Sequence, residues 1–127
     1  MNFLSVVVGG GIGAALRYLL SGVIQKHTGS TFPYGTLIVN LIGAFIIGFT
    51  WELFQNIIIP NNAKLFLFMG FLGAFTTFST FNLETMNMLR DKDVVLALLN
   101  ILGSNILCLI LVFLGFFSAR FLLKIVK

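Results

Sequence analysis

The segment Gly70-Phe-Leu-Gly-Ala-Phe-Thr-Thr-Phe-Ser-Thr-Phe81 holds the densest chemistry in the chain: Thr76, Thr77, Ser79 and Thr80 place four hydroxyls in five positions, interleaved with phenylalanines. Threonine and serine side chains compete for backbone hydrogen bonds and weaken a helix. An interrupted helix at membrane depth is tolerated where its freed carbonyls meet an ion or line a cavity. The chemistry on offer is therefore hydrogen-bond donation and carbonyl coordination, not bond making. Phe78 and Phe81 are three apart and share a helix face, with Phe75 three before Phe78. A phenylalanine stripe is ordinarily lipid-facing or packing surface; with hydroxyls between the rings, a pore lining is the competing assignment.

Further polar residues lie inside apolar stretches, where each is a candidate site. Asn40, in Gly35-Thr-Leu-Ile-Val-Asn40, carries an amide that can donate to an anion or bridge helices. Asn100, Ser104 and Cys108 recur at intervals of four, a polar stripe that either glues helices together or lines a conduit, with Asn105 on a neighbouring face. Arg17 either snorkels to headgroups or acts as an anion-attracting vestibule residue or structural anchor. The run Gly9, Gly10, Gly11, Gly13 reads as a packing surface, since no strand precedes it and no lysine stands at the phosphate-loop position. Gly43 and Gly48 read the same way. Glu52 and Glu84 are the only acids within the apolar stretches, both toward their ends, and His27 falls in a connection. A proton-coupled transporter needs a titratable group on its route and a metal transporter needs ligands; neither stands near a midplane. The hydroxyls also lack a His or Lys base at matching depth, which removes a catalytic dyad.

The elements that must position these residues follow from composition. Of 127 residues 58% are hydrophobic and 9% charged, against about 25% charged in a soluble domain. Residues 3–24, 35–54, 65–89 and 94–119 form apolar stretches, each near the ~20 residues that span a ~30 Å hydrocarbon core. The expectation is one four-helix transmembrane domain over residues 1–127, with the third helix broken near its middle. Soluble enzymes, nucleic-acid modules and disulfide scaffolds are excluded despite the net charge of +4, and the lone Cys108 makes no intrachain disulfide. Runs apolar on every face, such as Ile106 to Phe117, argue for helices over barrel strands. The first stretch contains Arg17, follows no basic n-region and lacks a clear cleavage site, so it is expected to be a retained helix.

Short connections make neighbouring helices antiparallel and put both chain ends on one face. That face carries Lys64, Arg120, Lys124 and Lys127, and the other Arg17, Lys26, Arg90 and Lys92, an even division of the eight basic residues. Because a Lys/Arg imbalance selects orientation, a balanced chain either inserts both ways, permitting an antiparallel dimer, or takes one orientation from features the tally misses. Four helices enclose little volume for their polar residues, so an oligomer is expected in either case.

The sequence resembles the Fluc (CrcB) family of fluoride ion channels through Gly9-Gly-Gly-Ile-Gly-Ala-Ala-Leu-Arg-Tyr18, Pro33-Tyr-Gly-Thr-Leu-Ile-Val-Asn40 with Gly43, and Gly70 to Phe81 with Glu84. The resemblance implies an all-α membrane protein forming an antiparallel, dual-topology homodimer with two fluoride pores and a central structural sodium ion that is not transported. Phe78 and Phe81 match pore-lining phenylalanines and Asn40 the pore asparagine. Gly73 and Thr76 match break positions whose backbone carbonyls hold the sodium, and Asn100, Ser104 and Cys108 fall on the polar side of the conduit. Arg17 and Glu84 match charged positions toward helix ends, as vestibule or structural charges.

Fluoride is strongly hydrated, so such a pore replaces lost water with donors such as Asn40, Ser79 or Thr80 and Ser104, while ring edges add positive quadrupolar charge. The implied activity is passive fluoride export across the plasma membrane of a microbe, lowering toxicity without catalysis, ATP or nucleic acid. A small multidrug-type antiporter shares the helix number and dual topology but would be expected to carry an acid in its first span, where this chain has only Arg17. A non-transporting assembly subunit would leave the Thr/Ser/Phe cluster unexplained.

Overall fold

The computed structural model describes residues 2–126, and among these every regular element is a helix. They are α1 (Asn2–Thr28), α2 (Tyr34–Asn56), α3 (residues 61–75), α4 (Ser79–Arg90) and α5 (Val94–Val126). Together α3 and α4 make the third of four segments long and apolar enough to cross a membrane. The chain is a multi-pass membrane protein whose third span is bent near its middle. Lys127, part of the charge tally, lies outside the described residues.

The helices overrun the apolar stretches at several ends because backbone hydrogen bonding continues past the hydrocarbon boundary. His27, expected in a connection, sits instead in the last turn of α1. Gly29, at φ 58°, then turns the chain in the left-handed conformation that glycine adopts freely. The Gln25 side chain fixes the next corner: Nε2 donates to the carbonyls of Ser30 (2.7 Å) and Phe32 (3.0 Å), and Oε1 accepts the Gly35 N–H (3.1 Å). After α4, Lys92 adopts φ 65° and the Asp93 N–H donates to the Met88 carbonyl at 2.8 Å, closing the helix end before α5.

Small residues decide the packing. A Cβ on Gly9 would meet the Phe66 carbonyl and one on Gly13 the Phe71 carbonyl, so both glycines let α1 lie backbone to backbone against α3. Gly11, on the opposite side, meets nothing. Gly48 presses on the Val112 carbonyl and Gly115 on the Phe45 carbonyl, joining α2 to α5 in the same way. At the far end of that pair Glu52 and Arg120 form an ion pair at 3.3 Å. Leu65–Leu72 of α3 is wound as a wider π-helix, a feature the hydropathy pattern does not encode.

Candidate functional site

The third span breaks at Thr76, whose ψ of 156° is extended, and the helix resumes at Ser79. Asn40 of α2 holds the gap open. Its Oδ1 accepts the Thr77 N–H at 2.8 Å and its Nδ2 donates to the Thr77 carbonyl at 3.0 Å, so one carboxamide satisfies both backbone groups of a residue that the helix has released. The second amide N–H of Asn40 is not used in that pair. Thr77 then starts α4: its Oγ1 accepts the Thr80 N–H at 3.3 Å and donates to Thr80 Oγ1 at 3.1 Å. Gly43 allows the approach, since a Cβ there would meet the Thr76 methyl.

These diversions have a consequence for two carbonyls. In a continuous helix the Thr77 N–H would bond the Gly73 oxygen and the Thr80 N–H the Thr76 oxygen. Both donors are spent elsewhere, on Asn40 and on Thr77 Oγ1. Gly73 itself remains helical, one turn before the extended residue, so the break lies after it while its carbonyl is among those released.

Phe78 and Phe81 stand on the α4 side of the break with ring centroids 5.5 Å apart and planes tilted by 30°. Their surroundings differ: Phe81 is 5% exposed and Phe78 is 70% exposed. Phe75 does not join them, because the break turns it away; it is buried and stacks on Phe71. A cavity of about 360 Å³ brings the two rings together with Asn40, Thr77, Ser104 and Cys108, and Gly73 and Thr76 line it as well. Among the described residues, no acidic, basic or imidazole side chain lines it. Amide and hydroxyl donors with ring edges, free of fixed charge, suit a small anion shedding water.

Thr77 also lines a second cavity, of about 230 Å³, on the α1 side, shared with Arg17, Ser21, Thr36 and Thr80. Among the described residues Arg17 has no carboxylate partner, and it lines this space. Thr80 therefore belongs to the Arg17 cavity, whereas Ser79 is exposed, 3.4 Å from Thr77 Oγ1, and lines neither. Glu84 is held by the Thr36 hydroxyl on Oε1 at 2.6 Å, while its buried Oε2 has no hydrogen-bond partner among the described residues.

The α5 stripe divides. Asn100 and Ser104 are buried against α4, and Cys108 is half-buried on the larger cavity. Ser104 Oγ donates to Asn100 Oδ1 (3.1 Å), Asn100 Nδ2 to Thr85 Oγ1 (3.0 Å), and Thr85 Oγ1 to the Phe81 carbonyl (2.8 Å). The stripe thus both glues helices and reaches the cavity. Asn105 is exposed, its amide turned back to the Ile101 carbonyl. Thr77, Thr36 and Thr85 were not singled out as site residues from sequence. The spacing Thr77-x-x-Thr80 was the one available signal, as a helix start.

Residues 4–116 match the family described as CrcB-like protein, Camphor Resistance (CrcB). The chain is 46% identical over 121 residues to the fluoride-specific ion channel FluC of Magnetococcus marinus, covering 94% of this chain and 98% of that protein. It is 44% identical over 122 residues to the FluC of Parabacteroides distasonis, covering 96% and 95%. With the FluC of Aquifex aeolicus it shares 45% identity over 113 residues, 88% and 91% of the two lengths.

Proposed function

The chain belongs to the CrcB family, and from that premise we propose that it is a fluoride-specific ion channel of a microbial plasma membrane, passing fluoride passively out of the cytoplasm. The observation that carries this is the uncharged cavity where Asn40, Phe78, Phe81 and Ser104 converge beside the broken helix. The Asn40 amide and the ring edges supply positive potential, and Ser104 a hydroxyl, without a proton to exchange or a charge to trap the ion. Arg17 raises anion concentration in the adjoining cavity, where Thr80 adds a hydroxyl, and Thr77 lines both that space and the cavity of the rings. The ion sheds water in steps, each lost contact replaced by a donor or ring edge, and no site binds so tightly as to stop exit. The protein is not an enzyme. The antiporter alternative finds no support: α1 contains no carboxylate.

The working unit is an antiparallel homodimer with two pores. Phe78 and Ser79 are exposed on a single chain near the middle of a membrane span, and Glu84 Oε2 is left without a donor. A second copy would cover the first two and place polar groups near the third; lipid would not. The even division of basic residues supports insertion in both orientations. Tags on the termini are expected on both faces of the membrane in comparable amounts, as read by impermeant labelling of intact cells. Tags confined to one face would contradict the arrangement, unless a second, oppositely oriented subunit exists.

The carbonyls of Gly73 and Thr76, stripped of their helical donors, fit a hard monovalent cation, which oxygen ligands prefer. One pair from each copy would supply an all-oxygen shell for a sodium ion, which would offset the facing carbonyl dipoles at the subunit contact and is not transported. Liposomes containing the purified protein and loaded with fluoride are expected to empty rapidly, whereas chloride-loaded ones retain their ion. With sodium replaced throughout by a bulky organic cation, fluoride efflux should fall or the dimer weaken. Silence in sodium would overturn the channel, and unchanged efflux without it would overturn the structural ion.

A further inference from the structure

We infer that Asn100 and Thr85 are positioning residues that set the direction of the Ser104 hydroxyl, so that Ser104 donates to an anion only when the hydrogen-bond chain through them reverses. The inference rests on the channel reading of the cavity. A hydroxyl has one proton to give. As the chain stands, Ser104 gives it to Asn100 Oδ1 at 3.1 Å, Asn100 Nδ2 donates to Thr85 Oγ1 at 3.0 Å, and Thr85 gives its own proton to the Phe81 carbonyl at 2.8 Å. Ser104 therefore presents lone pairs to the cavity it lines, and lone pairs repel an anion.

The same heavy atoms support the opposite polarity. A carboxamide has nearly the same shape when its oxygen and nitrogen are exchanged, so Asn100 can turn over without moving the backbone. Thr85 then donates to Asn100 Oδ1, Asn100 Nδ2 donates to Ser104 Oγ, and the Ser104 proton is released toward the cavity. The Phe81 carbonyl loses the Thr85 hydroxyl but, inside α4, keeps its helical bond. The gain is a charge-assisted bond from Ser104 to the ion, stronger than the neutral bond given up. Asn100 is 1% exposed and Thr85 6%, so water does not substitute for either partner. Fluoride, the strongest hydrogen-bond acceptor among the halides, gains most from the reversal, which makes the relay a contributor to selectivity and not only to affinity.

A double-mutant cycle in the full-length protein, read by fluoride efflux from liposomes, separates this relay from packing. Thr85→Val keeps the side-chain volume and removes the hydroxyl; it should lower efflux about tenfold, the worth of one good hydrogen bond to a charged group. In a Ser104→Ala background the same change should have no further effect, and Thr85→Ser should restore efflux. Equal falls in both backgrounds, or normal efflux in Thr85→Val, would overturn the inference. Because a valine variant can fail to fold, the unmodified protein provides an independent readout. The assigned side-chain amide resonances of 15N-labelled Asn100 should shift with sodium fluoride and not with sodium chloride, and no shift would overturn the relay. A parent protein that passes no fluoride would overturn the channel reading, and this inference with it.

Discussion

Asn40→Leu is expected to reduce fluoride efflux about a hundredfold, since it leaves the part-buried Thr77 N–H and carbonyl without partners, each at a cost of about 1–3 kcal/mol if unmet. Leucine has similar volume and no polar atom, so the Thr77 N–H and carbonyl must find partners elsewhere. The nearest solution is for the Thr77 N–H to return to the Gly73 carbonyl and the span to rewind. Rewinding would shift Phe78 and Phe81 relative to Ser104 and withdraw the Gly73 oxygen from any cation. Efflux and the amount of folded dimer, measured on one preparation, distinguish a rewound pore from a collapsed protein. Normal efflux in Asn40→Leu would show that the break is held by other means and that Asn40 is dispensable.

Phe78→Ile and Phe81→Ile are each expected to lower efflux severely, by at least about tenfold, while the dimer persists, because isoleucine keeps most of the bulk and removes the ring quadrupole. The two variants differ in what they cost the fold. Phe78 is 70% exposed on the single chain, so its replacement leaves little void; Phe81 is 5% exposed, and its loss adds a packing penalty of about 1 kcal/mol. Phe78→Ile is thus the cleaner probe of permeation. Intact dimer with normal efflux in both variants would make the rings scaffold and move the path to Asn100, Ser104 and Cys108.

Much of this architecture was legible in the residues, for physical reasons. Four apolar stretches of bilayer length dictate four crossings, because lipid offers the backbone no other partner. The density of Thr and Ser between Thr76 and Thr80 marked the break, since each hydroxyl offers the backbone an alternative bond. The Gly9/Gly13 spacing gave the α1 packing face for the same kind of reason: only a missing Cβ permits that approach. What was illegible depends on pairing across helices. An asparagine at position 40 is compatible with an ion ligand or a helix bridge, and only the 37-residue jump to Thr77 reveals the bridge.

Nothing in the sequence around Thr85 and Thr36 marks them; their roles appear when Asn100 and Glu84 arrive from elsewhere in the chain. The helix rule joining Phe75 to Phe78 failed because it assumes a continuous helix, and the break intervenes. The π-wound turns of α3 were likewise invisible, as nothing in Leu65–Leu72 but apolar residues and one glycine records how the backbone is wound.

The central claim, an uncoupled fluoride-selective pathway, is tested most directly by the reversal potential of the purified protein in a planar bilayer under a fluoride gradient. Among the described residues, the cavity that joins the rings to Asn40 and Ser104 has no carboxylate or imidazole to carry a proton with the ion. The current is expected to reverse at the equilibrium potential of fluoride, and to stay there when a pH gradient or a chloride gradient is imposed. A reversal potential that follows the proton gradient would mean coupled transport, and one that follows chloride would mean a pore without selectivity; either would contradict the account.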